Sequence, residues 1–404
     1  MNAMRFLVVR SRQRPIVAAL SFFFLLIVFF VVHRIRNDEA RRIFANFYPK
    51  ERTVRYPERL DPNAPRNAVF EPISVRRTSK IRKEIAFVVM QYDHSKTEDY
   101  ATAQRTLRCY AEAFGYPLIE LNLADDDHFM PHCPGNDLMF VRHCVLARLM
   151  EERASIEWFV FIDADMGVVN PNHLLEEFVD ERADLIFYDR LYNYEIMAGS
   201  YIARNTKFSR TFLRDWARYE ERVNPDALHG TDNGAISEVF LDYFCGGCAP
   251  RRRERCLDIW TYSSGYDDLF LYESCARELL GPAEWFTTAN GTLRQLASGR
   301  GYWARDGWQT QSRFDSEDFL FHGWKEHKRD PSFEGWEKWE SPFVSDTHDP
   351  AHCRRVESAH LNWAHDAAFR RPTDEIRGRL AEIARQSYAE HLERLQDLNK
   401  RYPI

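Results

Sequence analysis

The stretch Trp158-Phe159-Val160-Phe161-Ile162-Asp163-Ala164-Asp165 decides the fold. Five apolar residues, all aromatic or β-branched, end abruptly in two carboxylates one residue apart. So short and continuous an apolar run reads as a strand buried on both faces, of the kind found in the middle of a parallel sheet. Ligands of open α/β sheets bind beyond the C-terminal ends of such strands. Two carboxylates there offer hard oxygen ligands, suited to Mg²⁺ or Mn²⁺ carried with a diphosphate. The Asp-X-Asp pattern alone means little, since Asp125-Asp126-Asp127 stands in a polar segment of the same chain. The strand in front of it gives it weight.

Upstream, Glu84 to Met90 is a second buried-strand run, ending in the polar segment Gln91-Tyr92-Asp93-His94 that suits a nucleotide base. A helical pattern from Asp99 to Phe114 and a short strand from Pro117 to Leu121 complete a βαβ unit. A helix over 138–152 leads into the opening strand; a helix from Pro171 to Val179 and a strand from Ala183 to Tyr188 follow it. The alternation predicts an α/β domain with a mostly parallel, Rossmann-like central sheet flanked by helices. Further on, Tyr194 to Ala203 reads as a strand and Ser209 to Glu221 as a helix buried through Phe212, Leu213, Trp216 and Tyr219. Another helix starts in His229-Gly230-Thr231-Asp232-Asn233-Gly234-Ala235, with Thr231 as its N-cap. Thr373 to Asn399 is amphipathic, with Ile376, Leu380, Ile383, Leu392 and Leu395 in one stripe. That stripe fits packing against the domain first and a homodimer contact second.

The chain has 404 residues and a net charge of -6, which gives no electrostatic case for nucleic acid as a partner. Ile16 to Val32 is an apolar segment broken only by Ser21 and preceded by four arginines. It ends in His33-Arg34-Ile35-Arg36, with no small-residue cleavage site, so it reads as an uncleaved signal anchor in the membrane. Its short span suits a thin early-secretory membrane. Arginines on both flanks leave orientation undecided by charge. All eight cysteines follow the anchor, as does the glycosylation acceptor Asn290-Gly291-Thr292, and both favour a lumenal C-terminal part. The organisation is then a cytosolic tail at 1–14, a transmembrane anchor at 15–33, an Arg/Pro-rich stem at 34–82, the main domain at 83–345 and a helical extension at 346–404. Cys245, Cys248, Cys256 and Cys275 admit a zinc site, but disulfides suit a lumenal chain better.

Phe319-Leu320-Phe321 is another apolar run, ending in His322-Gly323-Trp324-Lys325, while Asp232 sits in a Gly-flanked turn at a helix start. Moving a sugar off a diphosphate calls for such parts: the main catalytic need is to stabilise negative charge on the leaving group. A metal held by two carboxylates and an imidazole does so as a Lewis acid, and a lysine adds a point charge. The plainer alternatives are a satisfied half-buried histidine, a solvated charged turn around Lys325 and a helix-capping aspartate.

From about Lys83 to Lys325 the chain resembles the GT-A glycosyltransferases, the nucleotide-diphosphosugar transferases. It is most similar to the retaining galactosyl-, xylosyl- and mannosyltransferases of the secretory pathway, and to a nematode-expanded branch of them. The resemblance is carried by Arg142 on a helix before the Trp158–Asp165 strand. It is carried further by Ala198-Gly199-Ser200-Tyr201-Ile202-Ala203-Arg204-Asn205, by Asp232-Asn233 and by His322 to Lys325. It implies a GT-A fold and Mn²⁺ (or Mg²⁺) on Asp163, Asp165 and His322. It places a UDP- or GDP-sugar donor against Gln91, Tyr92, Arg142, Gly199, Gly323 and Lys325, with Asp232 and Asn233 as catalytic residues. The implied activity is transfer of a hexose or pentose to a glycan or glycoprotein, with retention, by a type II protein of the Golgi membrane. Two positions depart from the pattern: Asn233 stands where the family has Gln, and Met197 where it commonly has Asn. Those departures sustain a rival, a catalytically inactive lumenal protein that binds a glycan or nucleotide sugar on the same fold. A metal-dependent phosphoesterase ranks last, because it needs a two-metal cluster.

Overall fold

Side chains alternate in direction along a strand, so each apolar run of the central sheet feeds two cores, one on either face. The computed structural model describes residues 66–76, 85–92, 94–297, 302–335, 337–345 and 348–403. The tail at 1–14, the anchor at 15–33 and most of the stem lie outside the described residues. No described helix is long and apolar enough to cross a membrane.

The strands are β1 (Ala68–Val69), β2 (Ile85–Gln91), β3 (Leu118–Asn122), β4 (Trp158–Ile162), β5 (Gly167–Val168) and β6 (Leu185–Tyr188), then β7 (Ser200–Arg204), β8 (Trp285–Thr287), β9 (Thr292–Leu296), β10 (Ala304–Asp306), β11 (Leu320–His322) and β12 (His365–Asp366). The main helices are α1 (Ala101–Phe114), α2 (Leu138–Glu152), α3 (Lys207–Arg218), α4 (Thr231–Phe244), α5 (Pro250–Thr261), α6 (Tyr266–Leu280) and α7 (Thr373–Arg401). Seven strands form the central sheet in the order β3-β2-β4-β7-β6-β9-β8. Ile85, Phe87, Val89, Trp158, Val160 and Ile162 bury against α1 and Trp303 on one face, and Ala86, Val88, Met90, Phe159 and Phe161 against α2, α3 and α4 on the other. Full burial of each large apolar side chain is worth about 2 kcal/mol.

The α/β expectation holds in part. The sheet is mixed rather than mostly parallel: β3–β2, β2–β4 and β6–β9 are parallel, while β4–β7, β7–β6 and β8–β9 are antiparallel. β7 turns back beside β6 through the loop 189–199, with Tyr194 in the left-handed region (φ 64°), so the strand expected from Tyr194 begins only at Ser200. The helix expected over Pro171–Val179 is a 3-10 turn at Leu175–Glu177. Asn170 accepts from the Asn172 backbone N–H (3.0 Å), a local bond that competes with helix formation.

Disulfides join Cys109 to Cys353, Cys133 to Cys144, Cys245 to Cys248 and Cys256 to Cys275. The four cysteines that admitted a zinc site are therefore paired with one another. Residues 66–76, assigned to the stem, include β1, which pairs with β12, and the Arg66 guanidinium donates to the Phe343 carbonyl (2.6 Å). On α7, Ile376, Leu380 and Ile383 pack against Leu191, and Leu398 joins the larger core. Leu392, expected in the same stripe, is 41% exposed.

Candidate metal and donor site

The carboxylate-bearing turn after β4 is fixed through its backbone. The Asp163 N–H donates to the Gly199 carbonyl (2.8 Å), Gln104 Nε2 donates to the Ala164 carbonyl (2.6 Å), and the Trp324 N–H donates to the Asp165 carbonyl (2.9 Å). The chain then enters β5, which pairs antiparallel with β11, and β11 lies parallel to β10 with His322 opposite Asp306. This small second sheet carries His322 to the end of β4. His322 Nε2 lies 3.4 Å from Asp165 Oδ1 and 4.0 Å from Asp163 Oδ2, and ligand atoms of the three residues all fall within 4.8 Å of one another. Gly323 takes φ 94°, which turns the chain sharply after His322 and is left-handed backbone that favours glycine.

Asp165 is buried, whereas the Asp163 side chain keeps 25% exposure. Burial lifts the Asp163 carboxyl above the ordinary range; Arg142 opposes the lift and the Asp165 charge adds to it. Burial also works against ionised Asp165, but His322 and Lys325 hold its carboxyl well below the usual range. Burial disfavours an imidazolium at His322, yet Asp165 and Asp306 raise it to about 9. Lys325 Nζ stands 3.5 Å from Asp165 Oδ2, and that carboxylate raises its pKa. The cluster thus concentrates negative charge that calls for cations.

His322 is braced from behind. Its Nδ1 lies 2.8 Å from Asp306 Oδ1, and Arg190 Nη2 donates to the same carboxylate oxygen (2.6 Å). A carboxylate behind a ligating imidazole fixes ring orientation and tautomer. Two carboxylates, one braced imidazole and a rim open through Asp163 fit a divalent metal that keeps positions for substrate oxygens.

Asp232 lies elsewhere in the arrangement. It is 0% exposed, and its Oδ2 accepts from Arg142 Nε (2.9 Å) and Nη2 (2.5 Å), with His143 Nε2 at 3.0 Å. Arg142 Nη1 reaches forward to Asp163 Oδ1 (2.7 Å). The His143 ring is stacked on Trp216, with its Nδ1 2.9 Å from the Tyr201 hydroxyl. Burial works against the Asp232 charge, but Arg142 and His143 hold its carboxyl below the usual range. Thr231 is not the N-cap. Gly230 occupies that place without a side-chain cap, and Thr231 is the first helical residue at φ 51°. A non-glycine residue there is strained, and such strain gathers at functional sites. Asn233 keeps partial exposure on the first turn of α4.

Gln91 ends β2, beside the end of β4, and its Oε1 accepts from Thr97 Oγ1 (3.4 Å). Tyr92 donates to Met139 Sδ (2.7 Å), and Arg142, Asp232 and Asp163 all act on its hydroxyl, so it stands near the carboxylates. Gly199 lies directly against Asp163: a Cβ built on it would meet Asp163 Oδ2 at 2.1 Å and Met197 Cε at 2.8 Å. Asp163, Asp165, His322, Lys325, Arg142 and Gly199 are thus brought together, with Gln91 and Tyr92 alongside and Asp232 behind. Asp306, His143, Gln104 and Arg190 were not read from the sequence. Each serves through a tertiary contact that no local pattern signals.

Residues 107–336 match a family model described as "Protein of unknown function, DUF273". The chain belongs to that family. No curated protein matches it. Among solved structures, the chain is similar to a glycosyltransferase involved in the glycosylation of the major capsid of PBCV-1, at 17% identity and a TM-score of 0.30, over 39% of this chain and 74% of that one. It is also similar to the glycosyltransferase GlyE in Streptococcus pneumoniae TIGR4, at 15% identity and a TM-score of 0.28, over 46% of each chain. For this DUF273 member the function rests on its own site.

Proposed function

We propose that the chain is a metal-dependent glycosyltransferase that moves a hexose or pentose from a UDP- or GDP-sugar to a glycan or glycoprotein acceptor. One observation carries this reading: His322, remote in sequence from the Asp163–Asp165 pair, converges with it at the end of the central strand, with Lys325 and Arg142 around them. A divalent metal such as Mn²⁺, held by these three residues, supplies Lewis-acid neutralisation of a diphosphate leaving group. Lys325 adds a fixed positive charge to the same diphosphate. Gln91 and Tyr92, at the neighbouring strand end, receive the nucleotide base.

Asp232 acts as a positioning residue, aiming Arg142 at Asp163, and Asn233 faces the donor sugar from the same turn. A carboxylate that is fully buried and ion-paired is a poor general base, which favours retention over inversion. The four disulfides favour an oxidising compartment, in keeping with a lumenal domain on a Golgi anchor.

Release of nucleoside diphosphate from a panel of UDP- and GDP-sugars tests the reading. Turnover with Mn²⁺ is expected, with loss in EDTA and a fall of roughly 100-fold or more in Asp165→Ala. Full turnover in EDTA would contradict the metal assignment. Binding without turnover would favour an inactive binding protein, the reading that Met197 and Asn233 support.

A further inference from the structure

We propose that Asn290 carries an N-linked glycan and that the first sugars of this glycan seat in the groove beside it. Asn290-Gly291-Thr292 is the one Asn-X-Ser/Thr triplet in the chain. It closes the hairpin between β8 and β9, where the Thr288 N–H donates to the Gly291 carbonyl (2.9 Å) and the Asn290 N–H to Thr288 Oγ1 (3.1 Å). Asn-Gly is by itself a hairpin-turn signal. Conformation leaves two features unexplained.

The first is accessibility. Asn290 is exposed, and its carboxamide exchanges no hydrogen bond with any described residue. The second is the neighbourhood. Asn290 and Thr288 line a groove of about 530 Å³, with Asp215, Tyr219, Arg222, Asp242 and Tyr243 on its other walls. That volume lies in the range that accommodates small ligands. Tyr243 donates to Asp215 Oδ2 (2.6 Å), Arg222 donates to Asp242 Oδ2 (2.7 Å), and the Tyr219 hydroxyl also donates to Asp242. The partly exposed Tyr243 ring, set beside a carboxylate–guanidinium pair, gives a sugar both an apolar face and polar partners, while Tyr219 is buried beneath Arg222. A glycan fixed at the rim reaches the groove at an effective concentration on the order of millimolar, so individually weak contacts suffice.

In the modification, the Asn290 carboxamide nitrogen bonds to the anomeric carbon of a lipid-linked oligosaccharide diphosphate and gives up one proton to the solvent. The anomeric carbon–oxygen bond breaks, and the diphosphate leaves with the electron pair. The proposal rests on the lumenal placement of the domain, because only there does the acceptor triplet meet such a donor.

The test is mass spectrometry of the Asn290 peptide from the full chain expressed in eukaryotic cells, with free thiols counted on the same sample. The expected result is a glycan on Asn290 that a peptide N-glycosidase removes, leaving Asp at that position, and no glycan on Asn290→Gln. Hydrogen exchange over 215–222 and 240–243 is expected to be slower in the glycosylated chain than in Asn290→Gln. Unmodified Asn290 in a chain with all disulfides formed overturns the modification alone. Unmodified Asn290 in a chain with free thiols overturns it together with the lumenal placement. Equal exchange in the two forms overturns the seating in the groove.

Discussion

Asp163 and Asp232 both touch Arg142, yet their surroundings assign them opposite tasks. Asp163 sits at an open rim against Gly199, and Asp232 is sealed behind the guanidinium with His143 and Trp216. Removing one member of a buried charge pair leaves the other without compensation. Asp232→Asn is therefore expected to lower the unfolding free energy by roughly 3 kcal/mol, measured by urea denaturation. Wild-type stability with lost activity would instead make Asp232 a direct participant in the chemistry. In sequence, the Asp232 turn was recognisable as special. Arg142 was singled out as well, but its pairing with Asp232 was not legible, because it spans 90 residues and follows from how α2 and α4 pack.

At the scale of elements, unbroken apolar runs and helical patterns were legible and two-residue strands were not. β2, β4, α1 and α2 stand within a residue or two of their expected places, since β2 and β4 are continuous apolar runs and α1 and α2 bury enough positions to show a helical period. β5, with two residues, is too short for any pattern and is defined by its pairing with β11, whose apolar run before His322 was read while its partners β5 and β10 were not. Yet this pair carries His322 into the site. α5 went unread because Arg251, Arg252 and Arg253 dominate its first turn, while Cys256, Ile259 and Trp260 bury its other face.

Two elements also carry buried neutral histidines, His143 on α2 and His365 on β12. Burial pushes each down to about 4, against a partial lift from Asp232 and from the Val169 carbonyl respectively. Between the unfolded value of about 6.5 and these folded values the unfolded chain binds more protons, so stability is intact above that pH and falls as pH drops towards 4. Each histidine contributes up to roughly 3 kcal/mol of that loss. Because His322, raised to about 9, acts in the opposite direction over this range, the test is the comparison of variants: between pH 7.5 and pH 5.0 His365→Gln should show a smaller acid loss of midpoint than the wild type. The same acid loss in His365→Gln would contradict the assignment of that ring as neutral.

At the scale of the whole molecule, two of the three sheets among the described residues meet at one turn. The larger sheet presents Asp163 and Asp165, the smaller presents His322 and Asp306, and neither alone forms the cluster. Four disulfides tie helices and loops of the domain, and α7 packs on Leu191. A site assembled this way should respond to metal and nucleotide sugar together, because a ligand that binds the native state raises the unfolding midpoint. The most direct measurement is the thermal midpoint of the protein with Mn²⁺, with UDP- and GDP-sugars, and with both. One of these sugars should raise the midpoint with Mn²⁺ by more than the two separate shifts combined, and His322→Ala should lose the excess. An equal rise in EDTA, or the same rise in His322→Ala, would contradict the proposed metal and donor site.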